Sequence, residues 1–221
     1  MDIFKIIALI ALAFCFLGLL RHFVRIIKLG NPHDLSKANG SISKGVIYSN
    51  TTAMMPMHKE SAYKHLPTYA AGMIFHMGTF LTLLIFVLSL FNSVMDFFRE
   101  MTILSLIIGI CMAIGTGCGI ALFVKRGISK DLQPLSNVDD FISNAFTTLF
   151  QGSAMLTFLS IGLGASGLLV AKCYAAFLLM ATLLFLYLPL GKLRHVVYYF
   201  AARYHLGFFY GRRGTWPQKK V

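Results

Sequence analysis

Hydrophobic residues in this chain are concentrated in blocks of about 20, the length of helix that crosses a hydrocarbon core of ~30 Å. Five blocks fall at residues about 3–28, 68–92, 101–124, 141–163 and 167–191. This pattern predicts an all-α membrane protein, a bundle of five transmembrane helices forming a single domain over residues 1–221. The first block has Lys5 ahead of an apolar run, as a secretory leader does. No small-residue cleavage site follows it; Arg21, Arg25 and Lys28 do, so it reads as a retained anchor helix.

The longest polar stretch, residues 30–67, carries the turn signals Asn31-Pro32 and Asn39-Gly40. Its segment from His58 to His65 reads as a short amphipathic surface helix that Pro67 ends. A loop of that length in so small a protein suits the docking of a soluble partner. The other connections are short: Ser93 to Glu100, and a turn near Gly162, Gly164 and Gly167. Gly115 and Gly119 have the small-xxx-small spacing that lets helices approach closely, or lets a cofactor do so. The tail, residues 192–221, is basic and aromatic, with Tyr198, Tyr199, Tyr204, Phe208, Phe209 and Tyr210, as suits a helix leaving a membrane through its headgroups.

Composition sharpens this picture through placement. The 221 residues are 57% hydrophobic and 13% charged, with a net charge of +12. In a soluble chain that charge would suggest nucleic acid, but 17 of the 20 Lys and Arg residues fall in the loop 30–67 and its approach, in 125–130 and in the tail. Only Lys5, Arg99 and Lys172 lie on the opposite side. The positive-inside rule then sets the N-terminus outside and the C-terminus in the cytoplasm, as an odd number of spans requires. The remaining basic surface meets lipid headgroups. Cys15, Cys111, Cys118 and Cys173 have no CxxC spacing and read as packing residues, so any iron–sulfur cluster belongs to a partner. With no paired carboxylates, nucleophile or phosphate loop, bond-making catalysis by this chain alone is not expected.

The candidate chemistry lies in two histidines. His76 stands about 12 Å into the second span at 1.5 Å per residue, and His195 lies at the end of the fifth, which runs the opposite way. Both therefore reach the cytoplasmic leaflet. Gly72 and Gly191 precede them by four residues, leaving a bare patch of backbone one helical turn from each ring. Ionisable groups within a membrane are costly and mark function, and two facing imidazoles with small neighbours suit a flat macrocycle, a b-type haem with two axial histidines. Lys192 and Arg194 would pair with its propionates or reach to the surface. The alternative is a haem-free membrane anchor or small transporter, with the histidines in packing or a proton path. Among the other histidines, His22 and His33 read as interfacial, His58 and His65 as solvated or in contact with a quinone or partner, and His205 as lying outside the hydrocarbon. Asn144 and Gln151 share one face of the fourth span, for interhelical hydrogen bonding or quinone contact.

The segments Phe75-His76-Met77-Gly78 and Pro189-x-Gly191-Lys192-Leu193-Arg194-His195 resemble the two haem-bearing helices of the gamma subunit of respiratory nitrate reductase. That membrane cytochrome b family also includes membrane subunits of heterodisulfide reductase and of sulfite-reduction complexes. The resemblance implies a multi-pass protein of a prokaryotic inner membrane. It further implies electron relay between a quinone, menaquinone by kinship, and an iron–sulfur or flavin protein on the cytoplasmic face. His76 and His195 would be the axial ligands. The family's second ligand pair falls here on Phe86 and Phe177, which cannot bind iron, so one haem is expected and the family's outer quinol site does not transfer.

Overall fold

The computed structural model describes residues 3–30, 34–58, 62 and 64–217, and among these the chain is helical without strands. We number the α-helices α1 (Ile3–Leu29), α2 (Ile42–Asn50), α3 (Leu66–Ser89), α4 (Asn92–Glu100), α5 (Thr102–Ile128), α6 (Val138–Gly162), α7 (Gly167–Tyr187) and α8 (His195–Arg212). Five of them, α1, α3, α5, α6 and α7, are long and apolar enough to cross a membrane, as the block pattern anticipates. The chain divides into two compact units, residues 1–16 with 67–192, and residues 17–66 with 193–221.

The first unit contains the start of α1, and α3 to α7. Its interior is aromatic: Phe86, Phe150, Phe158 and Phe177 are fully buried. Phe150 stacks on Phe177 at 5.4 Å, and Phe86 meets Phe177 edge-on at 6.1 Å and Phe185 at 5.0 Å. Offset and edge-on arrangements are the favoured ones for ring quadrupoles. Glycine sets the approach of α5 to its neighbours. A Cβ on Gly115 would lie 2.6 Å from the Gln151 Oε1 and 3.2 Å from the Cα of Gly78; one on Gly119 would meet Thr148 and the Phe75 ring. The small-xxx-small pair is therefore spent on helix packing.

The connection after α3 is not a loop. Residues 92–100 form α4, which buries Met95 and Phe98, with the Phe98 ring 5.1 Å from that of Phe158. Met95 and Phe98, three residues apart, give it one buried face. Lys5 reaches the same end of the unit, where its Nζ donates to the Asn92 Oδ1 at 2.6 Å and lies over the Tyr174 ring. The cysteines are free, and Cys15 is buried.

The second unit pairs α2 with α8. A Cβ on Gly45 would lie 2.4 Å from the Gly207 carbonyl and 2.4 Å from the Cα of Gly211, so backbone touches backbone. Ser49 Oγ donates to the Arg203 carbonyl at 2.6 Å, and the amides of Asn39 and Gly40 donate to the Arg212 carbonyl at 2.9 and 3.0 Å. Trp216 closes the end of the pair against Tyr210 and Tyr48, at 4.8 and 5.5 Å. The stretch 30–67 thus contains a packed helix at Ile42–Asn50, ahead of the segment where a helix is expected. Of the surface helix expected from His58 to His65, residues 59–61 and 63 lie outside the described residues; His58 ends a short 3-10 turn. His33 also lies outside them.

Candidate functional site

His76 sits on α3, on the side opposite the buried Phe75, Gly78 and Thr82. Its ring is exposed on an apolar face with Met73, Met77 and Phe80. The imidazole Nδ1 lies 2.7 Å from the Gly72 carbonyl, one turn back. Only an N–H can bridge to a carbonyl, so this contact selects the Nδ1–H tautomer and leaves the lone pair on Nε2 directed away from the helix. A metal-bound histidine has the same two requirements, a free ring nitrogen and a second nitrogen held by an acceptor. Gly72 adds open space: a Cβ there would meet nothing within 4 Å. His76 and Gly72 fit the axial-ligand chemistry that the sequence suggests.

Around the fifth span the structure departs from the expected helix. The span read to residue 191 stops at Tyr187, and a 3-10 turn, Lys192–Arg194, precedes α8. Pro189 has no N–H to continue the ladder, and the amides of Leu190 and Gly191 both turn back to the Tyr187 carbonyl, at 2.9 Å each. His195 is the first residue of α8, exposed at its start. Gly191 is consequently not one helical turn below His195 on a continuous helix. Its bare side is filled: a Cβ there would fall 2.2 Å from the Tyr187 ring.

Lys192 opens the 3-10 turn after α7. Its Nζ pairs with Asp140, which Arg126 also contacts at 2.7 Å. Asp140 belongs to a capping box at the start of α6, where it and Asn137 each accept from the other's backbone amide at 3.0 Å. Tyr187, whose ring covers Gly191, hydrogen-bonds Asp139 and lies 2.9 Å from Ser143 Oγ. The ends of α5, α6 and α7 are thus laced by two adjacent aspartates, two cations and a phenol. Arg194 is exposed. The Asn137-x-x-Asp140 spacing was the available signal for this knot.

Gln151 is fully buried, and its Nε2 donates to Thr79 Oγ1 at 2.7 Å and to the Phe75 carbonyl at 3.1 Å. It ties α6 to the turn of α3 that carries His76. Asn144 remains within α6, accepting from Thr148 at 3.0 Å. His22 Nδ1 lies 3.0 Å from the Tyr198 hydroxyl. Phe86 and Phe177, where the resembling family has further ligands, are core. Near Arg99 a cleft of about 430 Å³ opens between the start of α5 and the α6–α7 turn, lined also by Thr102, Ile161 and Val170. Among the described residues, no group of three or more His, Cys, Asp or Glu side chains could hold a metal ion. No family model, curated protein or solved structure matches this chain.

Proposed function

We propose that this protein is the membrane cytochrome b subunit of a multi-subunit oxidoreductase. In this reading it holds one haem b through His76 and His195, in the cytoplasmic membrane of a prokaryote with the N-terminus outside. The observation that carries the reading is the His76 Nδ1 to Gly72 carbonyl contact of 2.7 Å, which frees Nε2 on an apolar, uncrowded face. Bound haem supplies one-electron steps, able to join a two-electron quinone, menaquinone by kinship, to an iron–sulfur or flavin partner. The chain's own residues orient and insulate. The Gly72 carbonyl fixes the His76 tautomer, Gln151 anchors the turn above it, and the aromatic core excludes a second macrocycle from between Phe86 and Phe177. Lys192, which also pairs with Asp140, and Arg194 would be the cations for the haem propionates.

A second reading, a haem-free anchor or small transporter, draws on the Tyr187 ring that fills the space beside Gly191. An absorption spectrum of the purified, reduced protein separates the two. A b-type alpha band lost in both His76→Ala and His195→Ala, and kept in His205→Ala, supports the cytochrome. Absence of the band from the unmutated protein overturns it. One haem per polypeptide is the expected stoichiometry; two would show that Phe86 and Phe177 do not exclude a second.

A further inference from the structure

The α2–α8 unit is built inside out. Helix α8 buries Gly207 and Gly211, and α2 buries Gly45 and Ser49, while the bulky side chains turn outward. Phe200 is 58% exposed, and Ile47, Val196, Tyr199, Tyr204 and Leu206 are exposed with it. A soluble helix pair does the reverse, burying its large apolar groups because water drives them together. Small residues inward and large ones outward is the arrangement of helices whose outer faces meet lipid.

Charge selects the kind of lipid. Residues 17–66 and 193–221 contain thirteen Lys and Arg against two acids, Asp34 and Glu60, a net +11 of the chain's +12; three of the thirteen, Arg21, Arg25 and Lys28, lie on the second half of α1. One of those acids is already neutralised: Asp34 is held by Arg213 at 3.2 and 3.3 Å. Lys37, Lys44 and Arg194 are exposed. The chain passes into this unit within the membrane-length α1, at residues 16–17, and out of it at the start of the membrane-length α3, at residues 66–67. A polybasic, aromatic surface so tethered matches an anionic lipid surface in both of its chemistries, with side chains for the acyl boundary and cations for phosphates. An acidic soluble protein would satisfy the cations and leave Phe200, Ile47 and Leu206 in water.

We propose that the α2–α8 unit is a lipid-interface module that binds anionic phospholipid headgroups through its basic, aromatic outer surface. A haem-free protein would carry the same surface.

The test uses the full chain in nanodiscs of phosphatidylcholine alone or mixed with phosphatidylglycerol, with amide hydrogen exchange followed by mass spectrometry. Peptides covering α2 and α8 should exchange about fivefold more slowly in the anionic discs, and high salt should reverse the difference. Lys37→Gln combined with Lys44→Gln should remove about half of the effect, and Phe200→Glu should lower it further. All three positions are exposed, so Trp216 fluorescence, from the chain's single tryptophan, should be unchanged in both variants. Equal exchange in the two discs overturns the proposal, as does a full anionic effect in both variants. Protection by soluble polyglutamate in neutral discs, without any effect of phosphatidylglycerol, would assign the surface to an acidic protein and overturn it equally.

Discussion

Gln151 on α6 donates through Nε2 to the hydroxyl of Thr79 on α3 at 2.7 Å, while its Oε1 has no hydrogen-bond donor among the described residues. A Cβ built on either Gly78 or Gly115 would lie 2.6 Å from that oxygen. A buried amide oxygen without a donor costs stability because it gives up water and gains no bond, and here three helices close around it at a point where two have no side chain.

That geometry makes Gly115→Ala destabilising by about 1–3 kcal/mol, through overpacking against Oε1 and the facing Cα. Gln151→Ala should cost about 1 kcal/mol by losing its two interhelical bonds. In the double variant the penalties should fall short of their sum, because removing the Gln151 side chain removes the nearest obstacle to the new methyl. Thermal unfolding of the four proteins in detergent measures the cycle; strict additivity would mean that the two positions do not share this contact.

The α2–α8 contact should be less forgiving. At Gly45 the nearest obstacles to a Cβ are the Gly207 carbonyl and the Gly211 Cα, both backbone and both at 2.4 Å. Neither can rotate away, so Gly45→Ala must separate the helices, with an expected loss above about 3 kcal/mol. Trp216 packs against Tyr48 and Tyr210 in the same unit, so a red shift and lower unfolding temperature of its emission should report the separation. An unshifted emission with wild-type stability would contradict the close approach.

Asp34 gives the same unit a pH dependence. Its hydrogen bond with the Arg213 guanidinium, aided by the Ser36 amide, holds the carboxyl well below the usual carboxylate range. A group whose pKa is lowered by folding stabilises above its unfolded value, near 4, and loses that contribution as pH falls towards the folded value. Trp216 emission should therefore be flat from neutral pH to about 4 and change below it. Asp34→Asn should already show a loosened unit at neutral pH and respond much less to acid. An identical acid response in this variant would locate the titrating group elsewhere.

In the aromatic core, Phe177→Ala opens a space between Phe86 and Phe150, with an expected cost of about 3–5 kcal/mol. Thermal unfolding in detergent measures it. A cost below about 1 kcal/mol would show that this ring is not packed between Phe86 and Phe150.

The number and approximate ends of the long helices were legible in the chain, because a helix that must satisfy its own backbone in lipid needs an uninterrupted apolar run. The packing use of Gly115 and Gly119 and the interhelical bonding of Gln151 were legible for a related reason. Small and polar residues stand out in such a run. Helix α4 stands where the chain reads as a short link, since nine residues with two buried apolar positions, Met95 and Phe98, are too few to register as a block. The termination of α7 was hinted at by Pro189, but the family-like spacing to His195 suggested continuity.

The residues alone therefore determined five membrane-length helices, an excess of positive charge in defined segments and two candidate ligands near helix ends. Tertiary structure alone decided that Asp140 claims Lys192 and that the Tyr187 hydroxyl meets Asp139 and Ser143. It also decided that a segment near residue 45 and the tail some 160 residues later form one glycine-lined pair. Burial in an apolar solvent is a local property of about 20 residues and can be summed along the chain. The meeting of two backbones, or the choice of one partner among many by a side chain, depends on residues far apart in the chain, and only folding brings them together.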